Sequence, residues 1–200
     1  MRTVTKRAAQ GAIAVMLALG GIASTAGTAQ AAGTTDFWSY NHSYWLGPNN
    51  NTGRCVDDSE DLTVPDHNLL RGFGCYDNSY AGGWQRWLVI GKNNANGSAQ
   101  LFNAATGLCL DDSTRSDGSD YLRGLTCYAD SFSGGWQAWR IVNRTTASGS
   151  YQQVLQNVNT GRCLDDSNAG NSGTDLLRGY PCNGSSQDHG YQGWDIYIKD

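Results

Sequence analysis

The sequence lacks most of the features on which catalysis and nucleic-acid binding depend. Its 14 Lys and Arg are scattered rather than clustered, and it is clustered cations that neutralise phosphates. A nucleic acid or an anionic membrane is therefore excluded as a partner. There is no G-x-S-x-G, no H-E-x-x-H and no metal-ligand spacing. The three histidines, His42, His67 and His189, occupy unrelated places in the repeats described below, so no acid–base role recurs with them. Adjacent aspartates do recur, but glycoside hydrolysis needs two carboxylates flanking one bond, and neighbours in a turn rarely do so. The expectation is a protein without catalytic activity, metal or cofactor.

Long apolar runs are confined to the start of the chain. A basic stretch, Met1-Arg2-Thr3-Val4-Thr5-Lys6-Arg7, precedes an apolar run from Ala8 to about Ile22 and small residues ending in Ala29-Gln30-Ala31. Basic start, apolar middle and A-x-A site describe a secretory signal peptide. The run contains Gln10 and several glycines and is short for a membrane span, which takes about 20 apolar residues. Residues 1–31 are read as a removed signal, 32–43 as an N-terminal extension and 44–200 as one domain. Without Arg2, Lys6 and Arg7, 11 basic residues face 18 acidic ones, a net charge of −7. All six cysteines lie in the exported part, so secretion and disulfides are expected. The extension carries Asp36-Phe37-Trp38-Ser39-Tyr40, read either as an ordered first strand or as an arm that docks on a partner.

Beyond the signal, no window holds a 3.6-residue apolar period. Short Val/Leu/Ile/aromatic runs alternate with Asn, Gly, Asp and Ser, and the chain has 26 Gly, 7 Trp, 10 Tyr and 4 Phe. That pattern predicts many short strands and an all-β fold. It also repeats. Asn51-Thr52-Gly53-Arg54-Cys55-Val56-Asp57-Asp58-Ser59 returns as Ala105 to Ser113 and as Asn159 to Ser167, with Cys55, Cys109 and Cys163 at a constant interval of 54 residues. Asn49, Asn103 and Asn157 keep the same interval. A Leu-Arg-Gly follows in each copy (Leu70, Leu122, Leu177), then a second cysteine (Cys75, Cys127, Cys182). Each copy closes with an aromatic-Gln-x-Trp: Trp84-Gln85-Arg86-Trp87, Trp136-Gln137-Ala138-Trp139 and Tyr191-Gln192-Gly193-Trp194.

Three copies of about 50 residues (44–97, 98–150 and 151–200) are too few for a propeller, and solenoid repeats are shorter and capped. A threefold barrel removes sheet edges by closure. The expected fold is a β-trefoil. Pairing within each repeat is the simplest disulfide map: Cys55–Cys75, Cys109–Cys127 and Cys163–Cys182. Bridges between repeats would break the symmetry.

Gly-x-Cys-Leu-Asp (with Val56 for leucine in the first copy), a second cysteine about 20 residues on and Gln-x-Trp, each present three times, resemble the ricin-B-type (R-type) β-trefoil lectins. That family includes carbohydrate-binding modules of bacterial glycosidases. The third repeat, with Thr160-Gly161-Arg162-Cys163-Leu164-Asp165 and Pro181-Cys182-Asn183-Gly184, is also similar to small actinohivin-like mannan-binding lectins. The resemblance implies that Trp87, Trp139 and Trp194 pack in the core. It implies too that Gln85, Gln137 and Gln192 orient Asp57, Asp111 and Asp165, whose carboxylates bind sugar hydroxyls through charge-assisted bonds. Trp84, Trp136, Tyr191, Phe73 and Tyr180 are the candidate stacking rings. Leu125 offers none in the second repeat, and the third keeps the most pocket residues, Asn183 among them.

Two departures matter. Galactose-binding relatives usually carry asparagine where Trp84, Trp136 and Tyr191 stand, which makes a mannose-type or other ligand at least as plausible as galactose. Arg71, Arg123 and Arg178 replace neutral polar or aromatic residues, with two readings. They bond an acidic or substituted sugar through the guanidinium fork, or they pair with Asp58, Asp112 and Asp166 and rigidify the loop; the threefold recurrence of both favours pairing. The bland alternatives are turn formation for the aspartates and core packing for the aromatics. The functional expectation is a secreted, trivalent carbohydrate-binding protein without catalysis. The alternative is a protein-interaction or protease-inhibitor-like trefoil, or the binding subunit of a secreted toxin or enzyme complex.

Overall fold

The computed structural model describes residues 37–59, 68–113, 120–167 and 175–200; the expected signal segment, 1–31, lies outside them. The first copy runs β1 (Ser43–Asn49), β2 (Arg54–Asp57), β3 (Asn68–Leu69), β4 (Arg71–Gly74), α1 (Asp77–Ala81) and β5 (Trp87–Asn93). The second runs β6 (Ser98–Asn103), β7 (Leu108–Asp111), β8 (Arg123–Thr126), α2 (Ala129–Ser133) and β9 (Trp139–Thr145). The third runs β10 (Tyr151–Asn157), β11 (Arg162–Asp165), β12 (Arg178–Pro181), α3 (Gly184–Asp188) and β13 (Trp194–Ile198). Single-turn helices of five residues are too short to leave a helical period in the sequence. None of the described helices is long and apolar enough to cross a membrane.

Six strands form a ring. β1 pairs antiparallel with β13 and β5, β5 with β6, β6 with β9, β9 with β10, and β10 with β13. Closure leaves no unpaired edge in this barrel. Three hairpins, β2/β4, β7/β8 and β11/β12, make the cap. The fold is a β-trefoil, and each copy carries its own disulfide: Cys55–Cys75, Cys109–Cys127 and Cys163–Cys182.

The repeated residues do the building. Trp87, Trp139 and Trp194 are fully buried where barrel strands begin. Their Nε1 atoms donate to the carbonyls of Val56, Leu110 and Leu164 at 3.2, 2.9 and 3.1 Å, so each of these three buried indoles is satisfied. Leu70, Leu122 and Leu177, also fully buried, close a triangle of backbone bonds: Leu70 N–H to Leu122 O (3.0 Å), Leu122 N–H to Leu177 O (2.9 Å) and Leu177 N–H to Leu70 O (2.9 Å). Asn49, Asn103 and Asn157 stitch each repeat to the previous one. Each Oδ1 accepts from the backbone of its own turn, and each Nδ2 donates to the carbonyl of Tyr191, Trp84 or Trp136 at 2.8–3.0 Å.

Residues 37–42, the described part of the segment ahead of β1, form no strand. Trp38 is buried in the barrel core against Tyr44 (ring centroids 5.0 Å apart) and Phe37 (5.2 Å), while Tyr40 stays exposed.

Candidate functional site

Asp57, Asp111 and Asp165 end β2, β7 and β11. The register of the cap hairpins puts Arg71, Arg123 and Arg178 directly opposite them. Cross-strand neighbours are within side-chain reach, and each arginine Nε donates to the Oδ1 of its own aspartate at 3.2, 3.1 and 3.1 Å. The same Oδ1 atoms accept from the backbone N–H of Ser59, Ser113 and Ser167, 3.0 Å away. Arg123 and Arg178 also bond the hydroxyls of Ser113 and Ser167. All three aspartates are at most 1% exposed.

The guanidinium groups also cover two of the candidate stacking rings. Arg71 lies 4.2 Å from the centroid of Phe73, and Arg178 4.0 Å from that of Tyr180, a favourable cation–π contact. The position expected to hold a pyranose between carboxylate and ring is therefore filled by the protein's own arginine. In the second repeat Leu125 holds the ring's position, two residues after Arg123, and offers no ring.

The pairing expected for these arginines is corrected. They meet the first aspartate of each Asp-Asp, not Asp58, Asp112 or Asp166. Successive strand residues face opposite sides, so the second aspartates point toward the neighbouring repeat. There Asp112 accepts from the Thr160 hydroxyl and from Arg162 (Nε, 3.1 Å), and Asp166 from Thr52 and Arg54 (Nε, 3.0 Å). Asp58 receives Thr106, but Leu108 stands where the others have arginine. The glycine of Leu-Arg-Gly makes room for each carboxylate. A Cβ at Gly72, Gly124 or Gly179 would lie 2.8, 2.7 or 2.3 Å from an oxygen of Asp166, Asp58 or Asp112. Burial pushes all three acids up; against it, Asp112 and Asp166 have an arginine and a threonine. Asp58, whose Oδ1 has no hydrogen-bond partner among the described residues, is pushed up to about 7.

The glutamines hold the backbone more than the aspartates. Gln85, Gln137 and Gln192 donate to the carbonyls of Gly74, Thr126 and Pro181 and accept from the N–H of Tyr76, Tyr128 and Asn183. Gln85 alone of the three also bonds its aspartate, Asp57, at 3.2 Å; Asp111 Oδ2 and Asp165 Oδ2 are buried without a partner among the described residues. Asn183 caps α3, accepting from Ser186 N–H at 2.8 Å. Trp84, Trp136 and Tyr191 are half-buried beside the glutamines.

Two exposed rings escaped the sequence reading. Tyr76 and Tyr128, 57% and 53% exposed, directly follow Cys75 and Cys127. The Tyr76 ring meets Phe73 edge-on at 5.6 Å. Their signal was in the repeat itself, since Asn183 holds the same place in the third copy.

By sequence the chain matches no family profile and no curated protein. Among solved structures it is similar to the designed threefold-symmetric protein ThreeFoil, at a TM-score of 0.54 and 21% identity, over 76% of this chain and 96% of that one. It is similar too to a chain of the Haemophilus ducreyi cytolethal distending toxin (0.55, 16% identity, 80% and 84%). A third is the GlcNAcα1-4Gal-releasing endo-β-galactosidase of Clostridium perfringens (0.55, 13% identity), where 79% of this chain matches 33% of the enzyme. The similarity lies in the β-trefoil fold.

Proposed function

We propose that this is an exported, non-catalytic carbohydrate-binding protein in which the three arginines, rather than the aspartates behind them, meet the sugar. The observation that carries the reading is the threefold Asp–Arg arrangement, with the guanidinium fixed at Nε by a buried carboxylate and, in two repeats, placed over an aromatic ring. An arginine held this way presents its outer edge in a fixed orientation, the geometry that suits a planar carboxylate or a sulfate on a sugar. Tyr76, exposed and edge-on to the Phe73 ring under Arg71, supplies a further ring beside the first site. Three such sites on one barrel gain avidity of roughly 10²–10⁴-fold on a repeating polymer. Export is supported by the signal-like start and by one disulfide in each repeat.

The test is retention on immobilised polysaccharides carrying uronate, sulfate or no charge. The variants are Arg71→Lys, Arg123→Lys and Arg178→Lys, separately and together, because lysine keeps a cation beside the aspartate while removing the planar fork. Retention on the acidic polymers, lost in the triple variant and weakened by salt, is expected. The reading fails if wild type is retained on none of them, or if the triple variant binds as wild type does.

A further inference from the structure

The junction of the third and first repeats contains a cleft of about 560 Å³, lined among others by Asn50, Asn51, Ser150, Gln152, His189 and Asp195. Small-ligand sites generally fall between roughly 300 and 1,000 Å³. The cleft is separate from the arginine sites, since none of Asp57, Arg71, Asp165 or Arg178 lines it.

Its residues break the threefold pattern at one position after another. Asn50 follows Asn49, where Ala104 and Val158 follow the equivalent asparagines. Gln153 faces Trp194 in the barrel as Ala99 faces Trp139 and Tyr44 faces Trp87, so Gln152 occupies the place of Ser98 and Ser43. Asp195 follows Trp194 where Leu88 and Arg140 follow the other tryptophans, and His189 precedes Gly190 where Gly82 and Gly134 precede Gly83 and Gly135. The middle of the third Gln-x-Trp is Gly193, in place of Arg86 and Ala138. A Cβ there would stand 2.6 Å from Gln152 Cδ and 2.8 Å from Asn50 Nδ2. The two amides occupy the space that a side chain fills in the other repeats.

The polar groups are set up for a ligand. Gln152 is 6% exposed, and its Oε1 is buried with no hydrogen-bond partner among the described residues. Buried acceptors are nearly always satisfied, and the terminal amide torsion of glutamine is soft, so a ligand hydroxyl can complete the pair. Asp195 brings an exposed carboxylate, an acceptor for two neighbouring hydroxyls. His189 Nδ1 donates to Ser185 O at 2.7 Å, which leaves Nε2 as the acceptor of the neutral ring. That ring is held against Tyr191, which lies outside the lining, with centroids 6.2 Å apart and planes 26° from parallel, and it is the aromatic side chain of the lining. Carboxylate, amides and imidazole, with no Lys or Arg in the lining, match a neutral polyhydroxylated ring and disfavour an anion.

We infer that this cleft is a fourth, asymmetric binding site, one per molecule, that takes a neutral pyranose through Asp195, Gln152 and Asn50 beside the His189 ring. The site stands independently of the arginine reading. The probes are the methyl α- and β-glycosides of glucose, galactose, mannose and N-acetylglucosamine, titrated into the mature, disulfide-bonded protein and followed by ¹H–¹⁵N correlation spectra. Saturable shifts confined to Asn50, Asn51, Gln152 and His189 are expected with at least one probe. Asp195→Ala and Gln152→Leu should each weaken that binding roughly tenfold or more, the scale for a lost bond to a charged or buried group. Their spectra away from the cleft report that each variant is folded. The triple arginine-to-lysine variant should bind the same probe as wild type, which separates this site from the acidic-glycan sites. No saturable shift at the cleft with any probe overturns the inference, and so does binding that survives both cleft substitutions.

Discussion

Leu108→Arg tests the account of the repeat junctions. Each second aspartate sits in a socket made by the next repeat, of threonine, glycine and, at two junctions of three, arginine. At the third junction Leu108 leaves Asp58 with Thr106 and Asn68 against a large desolvation penalty, and the acid rises from 3.8 to about 7. A folded-state pKa above the unfolded one contributes stability that is fully present below the unfolded value and is lost as pH rises through the folded one. Three units at about 1.4 kcal/mol each put an upper bound of about 4 kcal/mol on the stability that ionising Asp58 removes between pH 4 and pH 8. Arginine at 108 would approach Asp58 as Arg54 approaches Asp166. Asp112 and Asp166 are still raised despite their arginines, so the rescue is partial, on the order of 1–2 kcal/mol at pH 8. At pH 4 Asp58 is neutral in wild type and the arginine gains nothing. For a domain of this size that is a rise in Tm of roughly 2–8 °C at pH 8, with none at pH 4. Thermal unfolding of both proteins at the two pH values decides the matter. An increment equal at both, or absent at pH 8, refutes the reasoning.

The converse substitution, Arg162→Leu, gives Asp112 the environment of Asp58; chemical denaturation should show a loss on the order of 1–2 kcal/mol at pH 8, shrinking toward pH 4 as the acid takes up a proton. Gly179→Ala drives a Cβ to 2.3 Å from Asp112 Oδ1 and should cost about 1–3 kcal/mol through forced displacement of a packed group, read as a lower denaturation midpoint. Trp139→Phe keeps most of the buried ring but leaves the Leu110 carbonyl without its 2.9 Å donor. A loss of about 1–3 kcal/mol is expected from the unsatisfied acceptor, with the same denaturant slope as wild type.

The fold was legible because it is written three times. A constant cysteine interval, an ordered second cysteine and a recurring Gln-x-Trp point to threefold closure and intra-repeat disulfides without any knowledge of register, and the family resemblance of the same motifs implies the buried tryptophans. The side-chain partnerships were not legible for the same reason. Asp57 and Arg71 are 14 residues apart, Asp111 and Arg123 are 12, and Asp165 and Arg178 are 13, so the intervening segments vary in length. Nothing in a linear spacing says which of two adjacent aspartates lies opposite the arginine. Strand alternation decides it, and alternation depends on where the hairpin starts. The socket is less visible still, because Asp166 meets Arg54 across 112 residues and Asp112 meets Arg162 across 50. The cleft at the third junction was hidden by the attention that repeats command. The side chains that give it its chemistry, Asn50, Gln152, His189 and Asp195, stand at positions that do not repeat.

The Leu-Arg-Gly tripeptide shows why three copies are needed. In each repeat the leucine closes one side of the backbone triangle, the arginine neutralises the first aspartate of its own hairpin, and the glycine admits the second aspartate of the preceding repeat. The socket order is cyclic, with Asp58 in the second repeat, Asp112 in the third and Asp166 in the first. A chain ending at Gly149 loses the socket of Asp112 and the partners that Leu177 supplies to Leu70 C=O and Leu122 N–H. It also loses β10 and β13, the barrel neighbours of β9 and β1. Each unpaired buried polar group costs about 1–3 kcal/mol and a buried unpaired carboxylate more, against a total stability of only about 5–15 kcal/mol. Such a chain should therefore lack the near-ultraviolet signal of packed tryptophan even with Cys55–Cys75 and Cys109–Cys127 oxidised. A cooperative thermal transition from the two-repeat chain would mean that the repeats are self-sufficient, as solenoid units nearly are, and that the cyclic socket is not what holds them together.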